Sequence, residues 1–267
     1  MHARTFNRVV VLLGSVALAS CSDSSGPGKG SVSLGLMVST TGTGAAASGF
    51  APESVTVGQH RLVLTKVELV LRQIELKRVA GTAVCATGAD DAPSASGGGE
   101  GHQGEGEHGD CLEVEIGPLL VDLPLGGGVK RVVTATVDSG TYREVEFKIH
   151  KVGSRTDDQP FLTAHPELAG ISIRAVGTYD GKAFEFTTGV SAKQETELSP
   201  PLVVAAQAST DLTLQVEVAS WFVAGGVGLI DPATAGDGGL NQDIVRQNIR
   251  RSFRTFEDHD RDGHRDR

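Results

Sequence analysis

Aromatic residues are scarce in this chain: nine Phe, two Tyr and one Trp among 267 residues. So few rings limit any exposed aromatic patch of the kind that anchors sugars or partner proteins. Cysteine is rarer still, at three residues, and no Cys-x-x-Cys pair suggests a redox centre or a zinc ribbon. Basic residues are outnumbered, 24 Lys and Arg against 33 Asp and Glu, which gives a net charge of −9. An acidic chain is a poor ligand for phosphate backbones, so nucleic-acid binding is excluded. The sequence also lacks a Gly-x-Ser-x-Gly elbow, a His-Glu-x-x-His pair and a Walker-type loop. With none of these in place, the expectation is a protein that is not an enzyme and holds no organic cofactor. No apolar run reaches the ~20 residues a membrane-spanning helix requires.

What is present begins at the N-terminus. "MHARTFNRVVVLLGSVALASC" has the three parts of an export signal: Arg4 and Arg8, an apolar stretch from Val9 to Leu18, and small residues before a cleavage point. Residues 1–20 are therefore read as a signal peptide, and their loss makes the chain more acidic. "LASC", Leu18 to Cys21, resembles the bacterial lipobox. That resemblance implies a diacylglycerol on Cys21, cleavage before it and acylation of its new amino group. The alternative is an ordinary secretory signal with a chance Cys at its end. Three acyl chains would hold the protein firmly, where one chain binds a bilayer only marginally. Residues 21–30, with "SDSSGPGKG", read as a flexible polar tether. Ser22 carries no inner-membrane retention signal under the common sorting rule, which points to the outer membrane, facing the periplasm or the cell surface.

Residues 31–230 carry the globular signal. Val and Thr are abundant, and short alternating or continuous apolar runs are separated by turn residues. In "YREVEFKIHKV", Val145, Phe147 and Ile149 fall on one side, with Tyr142, Glu144, Glu146, Lys148 and His150 on the other. "LTLQVEVAS" repeats the pattern, with Leu212, Leu214, Val216 and Val218 directed inward. Asp180-Gly181 marks a hairpin. The fold class expected is mainly β: an antiparallel β-sandwich of immunoglobulin-like or transthyretin-like type, with a closed barrel as the alternative. One helix is expected over residues 240–257, "LNQDIVRQNIRRSFRTFE", where Val245, Ile249, Phe253 and Phe256 form an apolar stripe and Asn241 is placed to cap. The segments "VDLPLGG", "SGTYREVEFKI", "FTTGVSAKQETELSPPLVV" and "LQVEVASWF", in this order, resemble an uncharacterised domain of bacterial lipoproteins. The resemblance spans roughly residues 31 to 230. It implies a lipoprotein β-sandwich of unknown function and brings no activity with it.

Three sets of residues bear on chemistry. Cys85 and Cys111 are an even pair in an exported chain and suggest a disulfide, the alternative being two free thiols. It would close a Gly-rich insert, residues 86–110, and contribute ~3 kcal/mol on a chain-entropy estimate. That insert holds His102, Glu105, Glu107 and His108, with Glu100 and Asp110 nearby. Imidazole with carboxylate suits Zn²⁺, Cu²⁺ or Ni²⁺; the plain alternative is a flexible soluble insertion. The third set is the tail, residues 258–267. Taking Asp258 as position 1 of a calcium loop, Asp260 is position 3, Asp262 position 5, Gly263 position 6, His264 position 7 and Asp266 position 9. Alternate spacing lets carboxylates converge, the glycine sits where the chain must turn, and His264 offers its carbonyl, while His259, Arg261 and Arg265 point outward. A position-12 Glu is not among these residues, so the expected calcium affinity is millimolar or weaker. The competing reading is a charged terminus frayed in solvent. The functional expectation is a membrane-anchored envelope lipoprotein acting as a binding or structural module. The alternatives are a metal-handling lipoprotein, or an adhesin for carbohydrate or an envelope protein.

Overall fold

Alternating Val, Leu and Thr runs become strands wherever one face can be buried, and here that produces two facing sheets. The computed structural model describes residues 28–39, 52–79, 113–114, 117–225 and 228–266. Its strands are β1 (Lys29–Val38), β2 (Glu53–Val57), β3 (His60–Arg78), β4 (Glu113–Val114), β5 (Leu119–Asp122), β6 (Lys130–Asp138) and β7 (Gly140–Ile149). They continue with β8 (Ile173–Tyr179), β9 (Lys182–Thr188), β10 (Ala192–Val204), β11 (Ser209–Val216), β12 (Val223–Ala224), β13 (Gly228–Leu229) and β14 (Phe253–Glu257). The first sheet has the order β14-β11-β1-β6. The second is built on β3, flanked by β7 with β10 and by β8 with β9, and β2, β4 and β5 also pair with β3. Leu62 pairs with both Val55 and Tyr179, and Leu71 with both Leu119 and Ile149. Each residue has one partner per edge, so β2 and β5 follow each other along one edge of β3, with β8 and β7 along the other. The fold is the expected β-sandwich, antiparallel except for β1 and β11, which run parallel with Leu34 opposite Leu212.

The core lies between the sheets. Leu36, Leu62, Leu69, Phe147, Ile149, Phe186 and Phe222 are all buried in one cluster with Leu212, Leu214 and Val216. Phe147 of one sheet meets Phe253 of the other edge-on at 5.5 Å between ring centroids. A smaller cluster, Val70 with Val152, Phe161 and Leu168, covers the other face of β3 beneath the short helix α1 (Gln159–Ala164). The Asp180-Gly181 hairpin forms between β8 and β9, with φ of +50° and +80° at the two residues, the left-handed pair a two-residue turn of this hand requires.

Several expectations need correction. Lys29 and Gly30, read from sequence as part of a tether, belong to β1. Residues 240–257 are not one helix. Helix α2 covers Gln242–Arg251, and Phe253–Glu257 form strand β14 against β11. Val245 and Ile249 are fully buried as the stripe requires, but Phe253 enters the core from a strand. The chain breaks at Ser252, whose hydroxyl donates to the Ile249 carbonyl and accepts from Trp221 Nε1, while its own carbonyl takes the Glu217 N–H. Five unpaired ladder positions on β11 then outweigh a helical period of two further residues. Asn241 does not cap α2 with its side chain; its Nδ2 donates to Thr234 Oγ1. On β7 the supposed solvent face is not open: Tyr142 is fully buried and Glu146 nearly so. A register shift between Lys77 and Arg78 admits the Tyr142 ring, and two lysines cover Glu146. No helix among the described residues is long and apolar enough to cross a membrane.

Candidate metal centre

Strand β14 delivers the tail to the outer surface of the four-stranded sheet. The ladder runs one step past Glu257, with the Asp258 N–H donating to the Asp211 carbonyl. This places the Asp258 side chain under the loop, where it is 0% exposed. Its Oδ2 accepts from Thr213 Oγ1 at 2.8 Å and from the Gly263 N–H at 3.2 Å. Its Oδ1 is buried and has no hydrogen-bond partner. A buried carboxylate oxygen without a donor costs free energy on the order of 1–3 kcal/mol or more, so this atom identifies a place where a positive partner is wanted.

The loop closes over this side chain, its Gly263 N–H donating to Asp258 Oδ2. Asp260 Oδ1 accepts from the Asp262 N–H at 3.2 Å, and Asp262 Oδ1 from the His264 N–H at 2.7 Å. These two Asx turns, with Arg261 at φ +58° and Gly263 at φ +83°, fold five residues into a hook. Gly263 rests against Met37 of β1, where a Cβ would come within 2.8 Å of its methyl carbon. Oxygens of Asp258, Asp260 and Asp262 all lie within 4.8 Å of one another. Two oxygens on one calcium ion stand at most about 5 Å apart, twice a Ca–O distance. The three carboxylates therefore fit around a single hard cation.

The other two tail residues behave differently. Asp266 does not join the cluster: its Oδ2 accepts from the His259 N–H at 2.5 Å, and its own N–H donates to the Glu257 carbonyl. It closes the loop rather than facing the cation position. His264 contributes its N–H to the second Asx turn. Arg261 does not simply point outward. Its guanidinium folds onto both oxygens of Asp211 at 2.9 Å, and that carboxylate raises its pKa further. Its hydrogen bonds go to Asp211, and its charge also interacts with the Asp258 carboxylate.

A second acidic group, Glu144, Glu146 and Glu195 on the outer face of β7 and β10, is already bridged by two lysines. Lys77 contacts Glu146 at 2.8 Å and Glu144 at 3.3 Å, and Lys193 contacts Glu146 at 2.7 Å. Burial would push Glu146 up, but the two lysines outweigh it and hold its pKa low, while Glu146 raises both lysines. The third charged group is one the sequence reading missed. Asp158 is fully buried beneath α1 and accepts from the Gly153 N–H at 2.8 Å. His150 Nε2 lies 2.8 Å from its other oxygen, and Arg72 bridges Asp158 and Asp157 at 3.4 and 3.0 Å. Burial alone would raise the Asp158 pKa; Gly153, His150 and Arg72 more than offset it and leave it below the ordinary range. Nothing in "SRTDDQPF" announces that one aspartate sits in the interior. His60 stacks on Tyr179 and pairs with Asp180, and His165 rests against Phe161. Cys21, Cys85, Cys111 and the insert residues His102, Glu105 and His108 lie outside the described residues. No family model matches the chain, and no curated protein or solved structure matches it either.

Proposed function

We propose that the chain is an exported bacterial envelope lipoprotein, anchored through Cys21, whose β-sandwich is a non-catalytic binding or structural module with a calcium ion in its Asp-rich hook. The observation that carries the calcium reading is the fully buried Asp258, whose Oδ1 lacks a donor beside two converging carboxylates. Asp258, Asp260 and Asp262 are the ligands, all hard oxygen donors, with the His264 carbonyl at position 7. Asp266 serves as the loop's closing brace. With three carboxylates converging and the fourth engaged, the affinity belongs to the 10⁻⁴–10⁻³ M range of extracellular modules. Export makes this useful, because calcium at that level is found outside the cytoplasm. The ion satisfies Asp258 and locks β14 and the loop onto the first sheet, so its effect is on stability and on the shape of the surface nearby.

The test is calorimetric titration with calcium in the purified, delipidated protein. Saturable binding is expected in the unaltered chain and at least ~10-fold weaker binding in Asp260→Ala, which removes an exposed ligand and leaves Asp258 buried. Equal heats from both proteins, or none from either, sink the site.

A further inference from the structure

Beside the hook lies a cleft of about 430 Å³, within the size range of small-ligand sites. One wall is a part of β10 that leaves its ladder: Glu197 pairs with Glu144 and Leu202 with Tyr142, so residues 198–201 arch away from β7 opposite a single residue. Leu198 and Pro200 of this arch, with Phe256 of β14, give the cleft an apolar lining. The opposite wall is the Asp-rich loop, through His259, Arg265 and Asp266, together with Glu257 at the end of β14.

The charges in that wall are not equivalent. Asp266 is tied to the His259 N–H, and the His259 ring stands 3.5 Å from Glu257. Arg265 has no ion pair or hydrogen bond among the described residues. With Glu257 and Asp266 each next to a His259 group, one guanidinium in a cleft that Leu, Pro and Phe also line is left to meet a ligand that is anionic at one end and apolar in its body. The planar fork favours a carboxylate, which it meets with two parallel hydrogen bonds. We propose that this cleft binds a small carboxylate-bearing ligand, with Arg265 as its anchor, and that calcium in the hook strengthens the binding. The coupling rests on the calcium reading above. Residues 259, 265 and 266 are carried by the loop that the ion would order, so cation and carboxylate must favour each other's binding by the same factor.

The carboxylate can be that of a peptide terminus or of an acidic sugar, and two probes separate them: N-acetylphenylalanine and D-galacturonate, with N-acetylphenylalanine amide as the uncharged control. Calorimetry is run on calcium-loaded and on chelator-treated protein, with calcium binding measured separately in every variant. One of the two acids is expected to bind the calcium-loaded protein saturably, about 10-fold more weakly after chelation, and the amide not at all. Preference for N-acetylphenylalanine assigns the cleft to a peptide terminus; preference for galacturonate assigns it to a sugar acid. Arg265→Gln is expected to lose at least 10-fold in acid binding with calcium binding unchanged, and Arg265→Lys to recover part of it. Absence of acid binding in a protein that binds calcium normally overturns the cleft and leaves the calcium site standing, as does full binding in Arg265→Gln. Acid binding that is the same with and without calcium overturns the coupling, and if calcium also fails to bind, the calcium reading falls with it.

Discussion

Two buried aspartates differ in how their charge is met, and the difference governs what each does. Asp158 is fully partnered: a backbone N–H, an imidazole and a guanidinium surround it. Removing one member of a buried pair leaves the others uncompensated, so Asp158→Asn should cost about 3 kcal/mol at neutral pH in urea unfolding. Its folded pKa is depressed below the ~3.9 of a free aspartate. Its contribution is therefore complete above about pH 4 and is lost as the pH falls through the folded value. The stability of the Asn variant should accordingly fall less steeply on the acid side than that of the unaltered protein; equal slopes would remove this account. Asp258 is the opposite case: Thr213 and Gly263 satisfy one oxygen, and the other is buried without a hydrogen-bond partner. Gly263 holds that arrangement with a left-handed backbone and close contact to Met37. Gly263→Ala should destabilise the fold by about 1–2 kcal/mol and weaken calcium binding more than tenfold, read by thermal melting and by titration.

At the level of elements, the alternation in "YREVEFKI" and "LTLQV" was enough to place β7 and β11 and their inward residues, because a strand's period of two is a local property. The stripe from Val245 to Phe256 was half right for a reason outside itself. Spacing of three to four identifies residues that share a helix face, but it does not see that β11 has an open edge a few residues away. Backbone groups on that edge need partners, and Phe253–Glu257 supply them. Phe253 thereby reaches Phe147 across the core. Phe253→Ala should cost about 3 kcal/mol, and deuterium exchange should then speed up at the amides of β14 and its ladder partners on β11. Unchanged exchange across β14 would argue against the strand pairing. The tail hook was legible in its spacing, Asp at alternate positions and then Gly, and those positions do converge. Its supports were not legible: Thr213 is one more threonine on a strand, and Asp211 shows no sign in sequence that it engages Arg261.

For the molecule as a whole, the sandwich is closed at one corner by the passage from α2 through β14 to the hook, so the C-terminal segment is part of the domain and not an appendage. The proposed lipid anchor belongs to the other end of the chain. Cys21→Ser should move the protein from the membrane to the soluble fraction and abolish incorporation of labelled palmitate, with melting behaviour unaltered because Cys21 precedes β1, which begins at Lys29; persistence in the membrane would discard the lipid anchor. Composition and periodicity determined the class of fold, most strands and their inward faces, and the alternate spacing of the tail aspartates, since each of these depends on residues a few positions apart. Tertiary structure alone decided that the last apolar residues form an edge strand, that Asp158 is interior, and that Asp258 is buried with one oxygen free. Those outcomes depend on which surfaces meet across roughly 40 to 90 residues of chain, and burial, unlike periodicity, is a property of the assembled sheets.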